Sequence, residues 1–252
     1  MGTTQIRQQM HEMKLFGMME IVDRTAATAT SESWGYFEFI DALLQAENES
    51  RNRRRTESRI KASRLKRVAS FEDYDFTAKR SLTKAQLKEI QSLKWLEDGR
   101  PLVLIGQTGV GKTYLAHAAG LHACQVGKTV VCLSVTTFLE QLLLARSTNS
   151  YLKFKERLTK PDLVILDDFG MRKFTAVEAE DLREILEERS YGKATLITTQ
   201  LPLKHWAEVL PDPVLAEAIV DRIEGLAVQI KITGESYRGV KGKKLDSAVK
   251  AG

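Results

Sequence analysis

The chain has 252 residues, 43% hydrophobic and 28% charged, with a net charge of +5, a balance that excludes a fibrous or wholly disordered protein. The length allows one large domain or two smaller ones. Mean hydropathy is −0.25, no apolar run reaches the ~18 residues of a membrane span, and Met1–Met10 lacks the basic-then-apolar order of a signal peptide.

Residues 1–70 are predicted as a small helical domain for binding DNA or a partner. Lys14–Arg24 carries Leu15, Met18, Met19 and Val22 at helical spacing, and the small, polar Thr25–Ser33 is expected to be a loop. A long helical pattern follows, with Phe37, Ile40, Leu43, Leu44 and Glu47 on one stripe. Trp34, Tyr36, Phe37 and Phe39 are expected in the core, with a partner-binding face as the alternative. Without a Gly or Pro the pattern runs into Arg51–Arg67, where nine Lys/Arg against one Glu give +8 in 17 residues. Lys231–Gly252 carries a further +4, which leaves −7 for the rest of the chain. Two basic segments on an acidic body point to a polyanionic partner. Arg51, Arg53, Arg54, Arg55, Arg59, Lys61, Arg64, Lys66 and Arg67 are the candidate DNA contacts, with Ile60, Leu65 and Val68 continuing an apolar side.

Residues 71–100 are predicted as linker and helix. Asp73-Tyr74-Asp75-Phe76 offers two aromatic anchors. Thr83-Lys84-Ala85-Gln86 has capping-box spacing, Leu87, Ile90, Leu93 and Leu96 follow, and Gly99 ends the helix. After Pro101 the rhythm changes. Strands are predicted at Leu102–Gly106, Thr129–Ser134, Asp162–Asp167, Ala194–Thr199 and Leu226–Ile232. Helices are predicted at Lys112–Val126, Thr137–Arg146, Ala176–Arg189 and Val214–Glu224. Mostly continuous apolar strands alternating with helices predict an α/β domain: a five-stranded parallel sheet with helices on both faces. His117, His122 and Cys124 fall at ordinary helix positions, and Cys132 packs in a strand. Two cysteines without metal-ligand spacing argue against a disulfide framework or a structural zinc and fit a cytoplasmic protein. Residues 241–252 are expected to form a disordered basic tail.

Gly106-Gln107-Thr108-Gly109-Val110-Gly111-Lys112-Thr113 matches G-x-x-x-x-G-K-[ST] between a predicted strand and a predicted helix. Glycines let the backbone approach an anion, and the helix N-terminus supplies free N–H groups. Lys112 reaches the β- and γ-phosphates of ATP, and the Thr113 hydroxyl ligates Mg²⁺. Asp167, at the end of an apolar strand, holds the metal through water, and Asp168 orients or deprotonates the attacking water. The ligand sits beyond the carboxyl ends of the strands. There Gln200, or Thr199 as second choice, can reach the γ-phosphate, unless this is ordinary strand-end capping. Arg222, after Asp212-Pro213, reads either as an arginine supplied to a neighbouring subunit or as a solvated helix charge.

Together these residues resemble the IstB-like ATP-binding proteins of insertion sequences, helper ATPases of the transposase. That family lies in the AAA+ branch with the helicase loader DnaC and the initiator DnaA. Leu15-Phe16-Gly17-Met18 is similar to the family's N-terminal helix, Asp73-Tyr74-Asp75-Phe76 to its linker, and Gly234-Glu235-Ser236-Tyr237-Arg238 to its C-terminal signature. The P-loop, Asp167-Asp168 and Asp221-Arg222 follow in the family's order. The resemblance implies an AAA+ domain over 101–240 that hydrolyses ATP with Mg²⁺. Arg222 is its arginine finger and Arg238 a further nucleotide contact. Gln200 stands where the family usually has Asn. Asp168 stands where AAA+ relatives often carry Glu, and its shorter reach implies slow hydrolysis. The implied partners are double-stranded DNA, the cognate transposase and further copies of the chain, assembled by ATP and DNA, with no membrane. The oligomer would deform target DNA and recruit or stimulate the transposase. The alternative is a DnaC-like replicative helicase loader. A small-molecule kinase would not need the basic run, and a non-hydrolysing scaffold would not need Asp167-Asp168.

Overall fold

A computed structural model describes residues 3–65, 69–74 and 81–236, and its contacts divide the chain between Ser58 and Arg59. In the first unit lie α1 (Thr3–Glu12), α2 (Phe16–Ser31) and most of α3 (Tyr36–Ser63). No side chain at the N-cap position bonds the start of α2. Its first N–H groups are met from α3: the buried Glu47 carboxylate accepts from Gly17 N at 2.6 Å and Met18 N at 3.3 Å. Arg51 Nε donates to the same carboxylate at 2.7 Å. An anion here satisfies orphan donors and the helix dipole together. The helices meet so closely that a Cβ on Gly17 would lie 2.5 Å from the Ala46 carbonyl oxygen and 2.7 Å from Glu47 Cα. Arg7 pairs with Asp23, joining α1 to α2.

Two expectations for this unit are overturned. Residues 25–31 are helix, not loop. The Thr28 and Thr30 hydroxyls donate back to the Arg24 and Ala26 carbonyls at 3.1 and 2.9 Å, and three alanines without Gly or Pro keep the helix going. Tyr36 and Phe37, expected in the core, are 91% and 88% exposed. The last turns of α2 offer only Ala, Thr and Ser, too small to cover them. Trp34 and Phe39 are half-buried.

The second unit begins in the last turn of α3. Leu65, Phe71 and Tyr74 pack into its core. Lys66, Arg67, Val68 and Phe76 lie outside the described residues, as do Tyr237, Arg238 and the tail 241–252. The capping box opens α4 (Lys84–Ser92), with Thr83 Oγ1 accepting from Gln86 N. The single helix expected as far as Gly99 is two, because the backbone turns left-handed at Leu93 (φ 54°) before α5 (Lys94–Glu97). The break lets Leu93, Trp95 and Leu96 all enter the core.

The α/β part runs β1 (Leu102–Gly106), α6 (Lys112–Gln125), β2 (Val130–Ser134), α7 (Val135–Ser147), α8 (Tyr151–Thr159), β3 (Leu163–Phe169), α9 (Ala176–Arg189), β4 (Ala194–Thr199), a 3₁₀ turn (Leu203–Glu208), α10 (Pro213–Glu224) and β5 (Val228–Ile232). The strands form one parallel sheet in the order β2-β3-β4-β1-β5. Alternate strand residues go to opposite faces. Leu102, Leu104, Ile165 and Leu196 join one core with residues of α4, α5 and α6. Val103, Ile105, Val164, Leu166 and Ile197 join another with residues of α7 to α10. Two covered faces are why the inner strands read as unbroken apolar runs. The edge strand β5 alternates instead, with Gln229 and Lys231 exposed.

Candidate nucleotide-binding site

Residues 106–113 form the turn between the carboxyl end of β1 and the start of α6. Gly109 has φ 87°, and a Cβ there would run into the Ser236 side chain, whose Cα would lie only 3.2 Å away. Glycine is therefore required twice, for the left-handed backbone and for the close approach. Gly111, at φ 102°, takes the N-cap position of α6 and has no side chain to cap the first N–H groups of the helix, which suits a helix start that meets an anion. Gln107 and Thr108 are exposed, Gly106 and Gly109 half-buried, and Val110 buried. Lys112 is 5% exposed, and its Nζ donates to the Gln107 carbonyl at 2.9 Å. Burial pushes the Lys112 pKa down, and the Asp168 and Asp167 carboxylates offset part of that shift.

Asp167 and Asp168 lie where β3 reaches the same edge of the sheet. Thr113 Oγ1, in the first turn of α6, donates to Asp167 Oδ1 at 3.0 Å. The second donor to that oxygen is Thr198 Oγ1 of β4, at 2.5 Å. Asp167 is buried, while Asp168 is exposed with φ 60°. Gln200 lies just past β4, exposed, with Nε2 3.1 Å from Met171 Sδ. The Thr199 hydroxyl turns to the other face, donating to the Phe169 carbonyl and accepting from Leu201 N, each at 3.0 Å. Thr198 is thus the β4 side chain that meets the aspartates. Strand parity could have found it: Thr198 shares a face with Leu196, the face α6 covers.

Sequence reasoning also missed a brace behind the loop. Tyr114, next to Thr113, donates its hydroxyl to the Ser70 carbonyl at 2.8 Å and accepts from Ser70 N at 3.1 Å. Tyr74 stands beside it with ring centroids 6.4 Å apart. Arg222 is placed elsewhere. Half-buried on α10, it faces Glu187 at 3.5 Å and Asp221 at 3.3 Å. It lines a shallow recess with Pro101, Thr195 and Leu226, at the amino ends of the strands and opposite the P-loop.

The basic run is partly engaged within its own surroundings. Arg51 pairs with Glu47, Arg53 reaches Glu20 at 3.8 Å, and Arg54 lies over the Phe16 ring at 4.8 Å while donating to Ser50 Oγ. In the second unit Arg59 Nε donates to the Cys124 carbonyl at 3.1 Å. Arg55, Lys61 and Arg64 are exposed. Cys124 and Cys132 are buried and unbridged. Burial pushes the Cys124 thiol up to about 11, against smaller lowering effects of Arg59 and Ser63.

A family model described as IstB-like ATP binding protein matches residues 8–245. The chain belongs to the IstB-like family. An insertion-sequence ATP-binding protein of Mycobacterium tuberculosis is 33% identical to this IstB-like chain over 234 residues, 92% of this chain and 93% of that one. The ATP-binding protein of insertion sequence IS21 from Pseudomonas aeruginosa is 33% identical over 218 residues, 86% and 82% of the two chains. Among solved structures, DnaI is 26% identical with TM-score 0.55, covering 67% of this chain and 90% of that one. The DnaC helicase loader is 21% identical with TM-score 0.54, covering 65% and 96%. The initiator DnaA bound to AMPPCP and single-stranded DNA is 19% identical with TM-score 0.57, covering 73% and 56%. The α/β unit of the IstB-like chain therefore has the fold of the DnaA and DnaC AAA+ domains. No helix among its described residues is long and apolar enough to cross a membrane.

Proposed function

We propose that the chain is an Mg²⁺-dependent ATPase that assembles on duplex DNA, deforms it and recruits or stimulates the transposase of its insertion sequence. The observation that carries the ATPase reading is the 3.0 Å contact between Thr113 Oγ1 and Asp167 Oδ1, which brings the start of α6 to the aspartates of β3. Two hard oxygen donors side by side suit Mg²⁺, a cation that keeps several waters and takes few protein ligands. Bound there, the cation would neutralise charge on the phosphate oxygens. The protein's own groups do the rest. N–H groups at the start of α6 and the Lys112 ammonium cradle the anion, Asp167 and Thr113 hold the cation, and exposed Asp168 orients the attacking water. Arg222 serves the site of a neighbouring copy. Insertion-sequence relatives matched along nine-tenths of their length favour transposition over helicase loading.

Lys112→Ala removes the ammonium that meets the phosphates. Titration with a fluorescent ATP analogue should show at least a tenfold loss of affinity; wild-type affinity would refute the P-loop assignment. The DNA reading has its own test in Arg53→Ala/Arg55→Ala/Lys61→Ala, which spares Arg54 and its packing on Phe16. Duplex affinity should fall similarly on unrelated sequences. The slope of log K against log salt should flatten by about 0.9 for each phosphate no longer neutralised. An unchanged slope would leave these residues as a solvated face.

A further inference from the structure

The β3–β4 register slips at the two aspartates. Leu166 pairs with Ile197 and Phe169 with Thr199, so Asp167 and Asp168 together oppose the single residue Thr198. This is a bulge, which bends a strand and re-aims its side chains. Thr198 has no exposed surface, and its hydroxyl is bonded to both members of the pair. It donates to Asp167 Oδ1 at 2.5 Å and accepts from Asp168 N at 2.9 Å. A hydroxyl supplies one donor and two acceptor sites, so it can do both at once. Valine fills nearly the same volume and can do neither.

Each bond constrains something the neighbouring residues leave loose. Asp168 has φ 60°, a conformation that is uncommon outside glycine and persists where surroundings enforce it. Its amide is fixed from β4 while its side chain stays exposed. Asp167 Oδ1 is also met by Thr113. A Thr113 hydroxyl can lend a lone pair to a cation and still donate to that oxygen, so the carboxylate is held from two sides, by Thr113 of α6 and by Thr198 of β4.

We propose that Thr198 is a positioning residue of the ATPase: its hydroxyl clasps the bulge, aiming the Asp167 carboxylate at the cation and holding Asp168 turned outward. The proposal rests on the ATPase reading and makes Thr198, ahead of Gln200 and Thr199, the β4 residue on which turnover depends.

The test compares Thr198→Val with Thr198→Ser in the full chain. Hydrogen exchange at the Asp168 amide needs no nucleotide. It should speed up about tenfold or more in Thr198→Val, the equivalent of one net hydrogen bond, and stay near wild type in Thr198→Ser. In Thr198→Val the Mg²⁺ concentration for half-maximal hydrolysis should rise about tenfold and kcat fall at least as far. Nucleotide affinity measured in EDTA, which reads the loop and Lys112, should hold. Thr198→Ser should restore both Mg²⁺ dependence and kcat. Wild-type Mg²⁺ dependence and turnover in Thr198→Val would overturn the proposal. So would a Thr198→Ser as impaired as Thr198→Val, since the methyl group rather than the hydroxyl would then matter. A wild-type chain that binds no nucleotide would refute the ATPase reading instead, and unchanged Asp168 exchange in Thr198→Val would still overturn the clasp.

Discussion

Gly17 and Glu47 join α2 to α3 through one carboxylate and one missing side chain. The Glu47 pKa is lowered: burial acts to raise it, and the hydrogen bonds from Arg51, Gly17 and Met18 outweigh that. Gly17→Ala would press a methyl group onto the α3 backbone, where no flexible side chain can give way. A loss of about 1–3 kcal/mol is expected for such overpacking. Faster hydrogen exchange over residues 16–50 would report it, with strands β1 to β5 unaffected; unchanged exchange would mean the helices can separate without cost. The motif Leu15-Phe16-Gly17-Met18 was visible in the sequence, but its reason was not. That reason is a contact between residues 30 positions apart, which no local pattern encodes. The P-loop was legible because its chemistry is local, set by consecutive residues at one strand–helix turn. Thr198 was passed over because its partner Asp167 lies 31 positions away, and only the face of the sheet, not burial, separates it from the equally buried Thr199.

At the level of elements, strands buried on both faces announced themselves. β1 and β4 have the boundaries that their apolar runs predict, and α9 the boundaries of its periodic pattern, opened by the Thr175–Glu178 capping box. The α8 helix was missed because only Phe154 and Leu158 of its nine residues are buried, too short a stripe to show periodicity. The α4/α5 break was missed because it falls at an ordinary leucine, and burial of Leu93 together with Ile90 before it and Trp95 and Leu96 after it overrides its reluctance to go left-handed. Asp162 shows how the strands are pinned at their amino ends. Its carboxylate accepts from Thr129 N at 2.9 Å, Thr129 Oγ1 at 2.7 Å and Lys193 Nζ at 3.0 Å, tying the approaches to β2, β3 and β4. Burial raises its pKa, but these donors prevail and push it down to about 2 from the ordinary 3.8. A carboxylate with a depressed folded-state pKa contributes stability that is fully present above the unfolded value and lost as pH falls through the folded one. Asp162→Asn should cost about 1–2 kcal/mol at neutral pH. It should also remove part of the fall in Tm between about pH 4 and pH 2. A Tm-against-pH curve parallel to wild type would show that the carboxylate's charge is not what pins the strands.

For the whole molecule, the decisive question is where Arg222 acts. It stands at the amino ends of the strands, whereas Lys112, Thr113, Asp167 and Asp168 meet at the carboxyl ends, so one copy cannot bring them together without unfolding its sheet. Its present partners, Glu187 and Asp221, hold it in half-exposed ion pairs, which are weak enough to exchange for a stronger anion. If Arg222 completes a neighbour's site, Asp168→Asn and Arg222→Ala should each lower hydrolysis by on the order of 10³-fold while both still bind ATP. Mixed in equal amounts, they should recover activity, because roughly a quarter of random interfaces then pair the intact site of an Arg222→Ala copy with the intact arginine of an Asp168→Asn copy. The recovered rate should rise more than linearly with total protein, since a monomer has no neighbour. A mixture that stays inactive, with co-assembly verified by differently labelled copies, would remove Arg222 from the site in trans. Normal hydrolysis by Arg222→Ala alone would reduce it to a helix charge paired with Glu187. Recovery in the mixture would instead make assembly a precondition of turnover, so that DNA or a partner that gathers copies of the chain would thereby set the rate of ATP hydrolysis.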